Sequence, residues 1–198
     1  MKSLQHILLA TLLLLPPATA VVSCSEQEDV EADEYANWRQ RNEEYLSTVA
    51  ARCQRLKSYS KDPATEGAID DYVYYEVLEQ GDGTDSPYYT DSVRISYRGR
   101  LIPTVSYPEG YVFDQTYSGT FDWRTTSTAV SKVSGYVEGF ATALLYMHRG
   151  DRWRLYIPQR MGYGTTEKTG IPAYSTLVFD VALIDFSHPG HPLPTKWN

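Results

Sequence analysis

The stretch from Tyr136 to Asp180, YVEGFATALLYMHRGDRWRLYIPQRMGYGTTEKTGIPAYSTLVFD, decides the fold. Behind Gly139, the residues Phe140, Ala143, Leu144 and Met147 fall at i, i+3, i+4 and i+7. That spacing makes one apolar face on a helix of barely two turns. Gly150-Asp151 is expected to stop it. From Arg152 to Ile157 the period becomes two, with Trp153, Leu155 and Ile157 on one face and Arg152, Arg154 and Tyr156 on the other. Leu177, Phe179, Val181 and Leu183 alternate again. The pattern predicts one short helix packed on a sheet, with an aromatic-rich surface between them.

Further toward the N-terminus, Tyr72 to Leu78 reads as a strand and Gly81-Asp82-Gly83 as a turn. Val93, Ile95 and Tyr97 alternate with Arg94, Ser96 and Arg98, a strand with one buried face. Leu101 to Gly110, with Pro103 and Pro108, reads as a loop, and Tyr117 to Val133 as a flap leading to the helix. In that flap Phe121, Trp123 and Val130 are candidates for one wall of a pocket. Residues 34–58 read as a helix, because Trp38, Asn42, Tyr45, Val49, Cys53 and Leu56 step by three or four. The stripe fits either self-association or packing on the chain's own domain. Residues 59–71 are polar, with Pro63 and Gly67, and read as a linker; residues 187–198 read as a partly ordered tail in which His188 and His191 face solvent.

The formal charge is −7, which argues against nucleic acid as the main partner, since phosphate binding needs a basic patch. Seventeen tyrosines either build a binding surface or line a half-exposed sheet. No histidine has cysteine or carboxylate partners at ligand spacing, so no metal site and no cofactor is expected. Residues 1–23 have the form of an export signal: Lys2, an apolar run from Ile7 to Leu15 too short to span a bilayer, then Val21-Val22-Ser23-Cys24. The last four residues resemble a bacterial lipobox, which implies acylation of Cys24 and attachment to a membrane surface. Residues 25–34, SEQEDVEADE, hold six acids and no base and read as an extended tether, 24–33, between lipid and domain. The acidic run after the cysteine also resembles the surface-export signal of Bacteroidota lipoproteins. Cys53 is expected as a small apolar residue on a helix.

Taken in order, Gly139-Phe140, Ala143-Leu144, Met147, Gly150, Ile157-Pro158, Gly162-Tyr163-Gly164, Ile171-Pro172 and Thr176-Leu177-Val178-Phe179-Asp180 resemble the FKBP family of peptidyl-prolyl isomerases. The resemblance covers 72–186 and implies an α+β fold, a twisted antiparallel sheet of about five or six strands wrapped on one short helix, with a separate N-terminal helix. It implies a cis-trans isomerase acting on proline-containing polypeptides, assisting exported proteins in the cell envelope, with a homodimer through the N-terminal helix as one possibility. A non-catalytic binding or chaperone module of the same fold is the alternative, and a loop at 101–111 plugging the pocket would favour it.

By the same resemblance, Phe140 is the pocket floor, where the family usually has tryptophan. Tyr97, Phe113 and Phe179 are aromatic walls. Val137 offers a backbone N–H to a ligand carbonyl, and Ile171 is an apolar edge. Tyr163 donates its hydroxyl to the substrate, and Asp114 orients the polar network. The arginine that pairs with this aspartate in the family has no counterpart after Asp114. Read without the family, Tyr97, Phe113 and Phe179 also fit plain core. Tyr163 between two glycines is harder to read as packing. Rotation about an amide makes and breaks no heavy-atom bond, so no nucleophile or acid–base pair is required, and no such motif is present in the sequence.

Overall fold

The computed structural model describes residues 34–193. The expected signal segment 1–23, the tether 24–33 with Cys24, and the end of the tail from 194 lie outside the described residues. Helix α1, Trp38–Ala50, is followed by strand β1, Gln54–Lys57, and β2, Tyr72–Glu79. Then come β3, Ser92–Arg100; β4, Val112–Gln115; β5, Ala129–Lys132; helix α2, Glu138–Leu144; β6, Arg152–Ile157; and β7, Leu177–Ser187. The strands make one antiparallel sheet in the order β1-β2-β6-β7-β3-β4. β5 and β4 share the outer edge of β3, β5 along Ser92–Ile95 and β4 along Arg98–Arg100. The flap is the segment that joins these two half-strands.

Alternation along the strands divides the side chains between two faces. Val73, Val93, Ile95, Trp153, Leu155, Ile157, Leu177, Phe179, Val181 and Leu183 form the main core with α2. Tyr72, Tyr74, Tyr156 and Val178 face the other way and are covered by Leu46 and Val49 of α1. α2 is buried from Gly139 through Leu144, so it is a core helix rather than a surface one. It can sit this low because Gly139 has no side chain: a Cβ there would lie 2.3 Å from Ile157 Cγ2.

Several sequence expectations are revised. The sheet has seven strands rather than five or six. The N-terminal helix stops at Ala50, and Gln54–Lys57 pairs with Tyr72–Tyr75 instead of continuing it. Cys53 and Leu56 do keep helical spacing, but the open edge of β2 offers this segment backbone partners, and pairing overrides a local periodicity. Cys53 therefore sits past the helix end, with Sγ 3.3 Å from Glu76 Oε1; burial first, and then the Glu76 carboxylate, push its thiol up to about 11. The second helix ends at Leu144, before Gly150; Met147 lies beyond its last turn and is still fully buried. The linker closes in a 3₁₀ turn, Ile69–Asp71, tied to a second turn by Arg160–Asp71 at 2.5 Å. His188 and His191 are exposed as expected, although His188 also bonds the fully buried Asp91 through Nδ1 at 2.9 Å and stacks on Tyr88.

The α1 stripe faces its own sheet. Trp38, Asn42 and Val49 are buried, as is Leu46, which the stripe read from the sequence omitted. Beside this helix lies a buried charge cluster. Asp180 receives Arg154 Nε at 2.6 Å and Nη2 at 2.9 Å, and Arg100 Nη2 at 2.6 Å. Burial alone would raise the Asp180 pKa, but the hydrogen bonds from Arg154 and the charge of Arg100 outweigh it and hold the carboxyl below its ordinary range.

Removing the carboxylate leaves two guanidinium groups facing each other in a poorly solvated site. Asp180→Asn is expected to cost roughly 3 kcal/mol at pH 7, read from urea denaturation. Because the folded-state pKa lies below the unfolded one, of about 3.9, the stabilisation is complete well above that value and drains away as pH falls through the folded pKa. The gap between wild type and variant should therefore close on acidification; a gap that stays constant from pH 7 to about 3 contradicts the assignment.

Candidate functional site

The main core opens at one end of α2 into a cavity of about 530 Å³. Three strands, β3, β4 and β7, contribute to its lining, in a way the local sequence explains. Tyr97 is on the core face of β3, opposite Val181 of β7. Two residues on, Gly99 pairs with Asp114 of β4 on one side and Phe179 of β7 on the other. A Cβ at Gly99 would lie 2.5 Å from Phe179 Cε1 and 2.7 Å from Phe113 Cε2, so the glycine makes room for both rings. Those rings meet edge to face at 5.5 Å and 85°.

The floor is Phe140, which is 2% exposed. Its ring is T-shaped to Phe179 at 5.0 Å and to Tyr97 at 6.1 Å, and it stacks with Tyr136 at 4.8 Å and 25°. Such offset and edge-to-face contacts suit the ring quadrupoles and give a rigid apolar cage. Val137 is the N-cap of α2; its carbonyl accepts the Ala141 N–H at 3.0 Å, and no hydrogen bond among the described residues engages its own N–H. Ile171 is buried, and Lys168 and Thr169 stand beside it on the rim.

Polar groups are few. The Tyr97 hydroxyl donates to Asp114 Oδ2 at 2.7 Å. Burial, then the hydrogen bond to Asp114, push the Tyr97 pKa well up. Tyr163 lies across the cavity with its ring 5.9 Å from Lys168 Nζ, and burial, then the Asp114 charge, raise its pKa too. Both hydroxyls therefore titrate above the ordinary tyrosine value and are protonated hydrogen-bond donors at neutral pH. Among the described residues no lysine or arginine forms an ion pair with Asp114; Tyr97 is its partner. Of the two arginines that flank Gly99 on β3, Arg98 is engaged by Gln115 Oε1 and the carbonyls of Tyr117 and Gly119, and Arg100 by Asp180.

The eight residues singled out around this pocket, Tyr97, Phe113, Asp114, Val137, Phe140, Tyr163, Ile171 and Phe179, all line this one cavity. Cys24 lies outside the described residues. The flap residues do not join them. Phe121 and Trp123 pack edge to face on each other, with Arg152 over Phe121 at 4.6 Å and Trp123 Nε1 donating to Glu79 Oε2 at 2.7 Å. Val130 is half exposed on β5. The flap thus folds toward the far end of β2 and β6, where cationic side chains attract its rings. Tyr136 supplies the wall instead. It precedes the helical periodicity, so its one local signal in the sequence is its place next to Val137. The loop at 101–111 contributes nothing to the lining, and its first two residues, Leu101 and Ile102, are buried in the core.

A family model described as FKBP-type peptidyl-prolyl cis-trans isomerase matches residues 83–184. The chain is 29% identical over 170 residues to the macrophage infectivity potentiator of Trypanosoma cruzi, covering 85% of this chain and 79% of that protein. It is 31% identical over 146 residues to the FKBP-type 22 kDa peptidyl-prolyl cis-trans isomerase of Escherichia coli, covering 73% and 64%. The crystal structure of FkpA from Escherichia coli aligns with a TM-score of 0.58 at 28% identity, covering 81% of this chain and 63% of that one. The chain spans a little under two thirds of the length of both Escherichia coli proteins.

Gly99→Ala forces a methyl group against Phe113 and Phe179. It is expected to destabilise the domain by about 1–3 kcal/mol and to shift the ring resonances of both phenylalanines. Unchanged ring shifts in a folded variant would show that the glycine does not set the wall.

Proposed function

Because the chain belongs to the FKBP-type peptidyl-prolyl cis-trans isomerase family, we propose that it isomerises X–Pro peptide bonds in polypeptide clients, using the cavity above Phe140. The observation that carries this reading is the aromatic cage with donors from Tyr163 and Val137 at its mouth. The barrier to amide rotation is about 18–20 kcal/mol, and uncatalysed exchange takes tens to hundreds of seconds. That barrier is amide resonance. The planar amide is more polar than the twisted one, so an apolar cage costs the ground state more than the transition state. The proline ring rests on Phe140 between Tyr97, Phe113 and Phe179. The acyl side turns toward donors that meet the twisted carbonyl better than the planar one. Tyr163 is the hydroxyl donor and the Val137 N–H the backbone donor. Asp114 holds the Tyr97 hydroxyl in place and keeps the mouth polar.

The clients we propose are exported, proline-containing proteins. The Val21-Val22-Ser23-Cys24 segment supports lipidation at Cys24 and attachment to the outer membrane, on its periplasmic or surface face, through the 24–33 tether. The working domain is 72–186, with α1 and the following segment as its N-terminal part. A homodimer through α1 would have to use the helix's charged outer face, because Trp38, Asn42, Leu46 and Val49 are buried within the chain. The second reading, a binding module without turnover, draws on Phe140 in place of tryptophan and on Tyr97 as the only partner of Asp114 among the described residues. The unplugged cavity speaks for the enzyme.

X–Pro exchange in a short peptide, followed by NMR, distinguishes the two readings. Exchange should run far above background, fall about three- to tenfold in Tyr163→Phe, and stay level from pH 7 to about 9.5, since both pocket hydroxyls remain protonated there. Exchange at the uncatalysed rate with a folded chain would remove the enzyme reading. Separately, Cys24→Ser should abolish incorporation of a labelled fatty acid; labelling that persists would refute acylation at that cysteine.

A further inference from the structure

The pocket rim is carried by the loop from Gly164 to Thr176, and two sets of backbone hydrogen bonds close this loop on itself. Lys168 and Ile171 exchange backbone hydrogen bonds at 3.0 and 2.8 Å, and the Tyr174 N–H closes the base on the Gly164 carbonyl at 2.9 Å. Tyr174 stands at φ +64°, the left-handed region that a side chain tolerates poorly, so the turn needs outside support to persist.

That support comes from α1, more than 130 residues away in sequence. Trp38 Nε1 donates to Ser175 Oγ at 2.9 Å, and Ser175 Oγ donates in turn to the Pro172 carbonyl at 2.6 Å. Pro172 directly follows Ile171, the pocket's apolar edge. Asn42 Oδ1 accepts the Thr176 N–H at 2.7 Å, while Asn42 Nδ2 bonds the Trp38 carbonyl at 2.8 Å. Arg39 lies over the Tyr174 ring at 4.9 Å. Trp38, Asn42, Ser175 and Thr176 are all buried, so water does not replace a lost partner cheaply.

We infer that Trp38 and Asn42 are positioning residues of the pocket. They lie outside the segment the family model matches, and through Ser175 and Thr176 they set where Pro172, Ile171 and the rim stand. α1 is then part of the substrate site as well as a cover for the sheet. A slack rim loses contact with the residues flanking the proline while the cage around Phe140 is untouched, so the loss appears in substrate binding. This inference rests on the proposed isomerase reading for its kinetic consequence, and on the loop contacts alone for its structural one.

The test compares the full chain with Trp38→Phe, which keeps the aromatic body and removes the indole N–H, with Ser175→Ala, which removes the relay hydroxyl, and with the double variant. Urea midpoints identify any variant that fails to fold; Ser175→Ala, the smaller change, decides if Trp38→Phe does. In each single variant KM for an X–Pro peptide should rise about three- to tenfold with kcat within about twofold. The double variant should be no worse than the worse single one. Amide exchange at Ile171 and from Tyr174 to Thr176 should quicken. An unchanged KM in an active chain overturns the inference, whatever the loop does. If the wild-type chain shows no turnover, the isomerase reading falls, and amide exchange alone judges the positioning: faster exchange supports it and wild-type exchange refutes it.

Discussion

Contact between Gly139 and Ile157 governs how the rest of the molecule is arranged. With no side chain at 139, α2 settles onto the sheet closely enough to be buried through Leu144. Its first turn then carries Val137 and Phe140 to the open end of the core. A larger residue would lift the helix, and the floor would separate from the walls on β3, β4 and β7. Gly99 plays the matching part in the sheet, where its missing side chain admits Phe113 and Phe179 together. The cavity is therefore a product of two close approaches, each at a glycine that no neighbouring residue type could replace without a collision.

The opposite face of the sheet carries a different kind of stabilisation. One end is apolar, Tyr72, Tyr74, Tyr156 and Val178 beneath α1. Beside it Asp180 holds Arg100 and Arg154 in a buried cluster, and farther along, arginines meet the aromatic rings of the flap at Tyr117 and Phe121. The same strands thus serve the cavity with one set of alternating residues and the covering elements with the other. A change on the outer face reaches the pocket only through the backbone, whereas α1 bonds Ser175 and Thr176 of the loop that carries the pocket rim through Trp38 and Asn42.

The chemistry fits this economy of polar groups. A reaction that only twists an amide gains from a dry, shaped, aromatic space and a few well-aimed donors. The site's polar groups include three tyrosine hydroxyls whose pKa values are raised, one carboxylate bonded by a tyrosine, a backbone N–H at a helix cap with no hydrogen-bond partner among the described residues, and Lys168 and Thr169 at the rim. Asp114 accepts the Tyr97 hydroxyl and makes no ion pair with a lysine or arginine among the described residues, and its charge helps to raise the pKa of both Tyr97 and Tyr163.

The sequence by itself determined the α+β class, the short helix and the long strands, because periodicity is a local property of the chain, and the order of its motifs, through the family they resemble, pointed to eight of the residues that line the cavity. It misassigned Gln54–Lys57, whose helical spacing is real but whose backbone partners belong to β2. It offered Phe121, Trp123 and Val130 as candidates for a pocket wall, because a residue in a flap carries no mark of which surface it will meet. It left open whether the Trp38 stripe faced another molecule or its own sheet, since an apolar helix face specifies burial but not the partner. Only the tertiary structure decided these points. Strand edges, cation–ring contacts and the hydrogen bonds from Trp38 and Asn42 to the pocket loop all join residues distant in sequence, and no local pattern records which distant groups a fold will bring together.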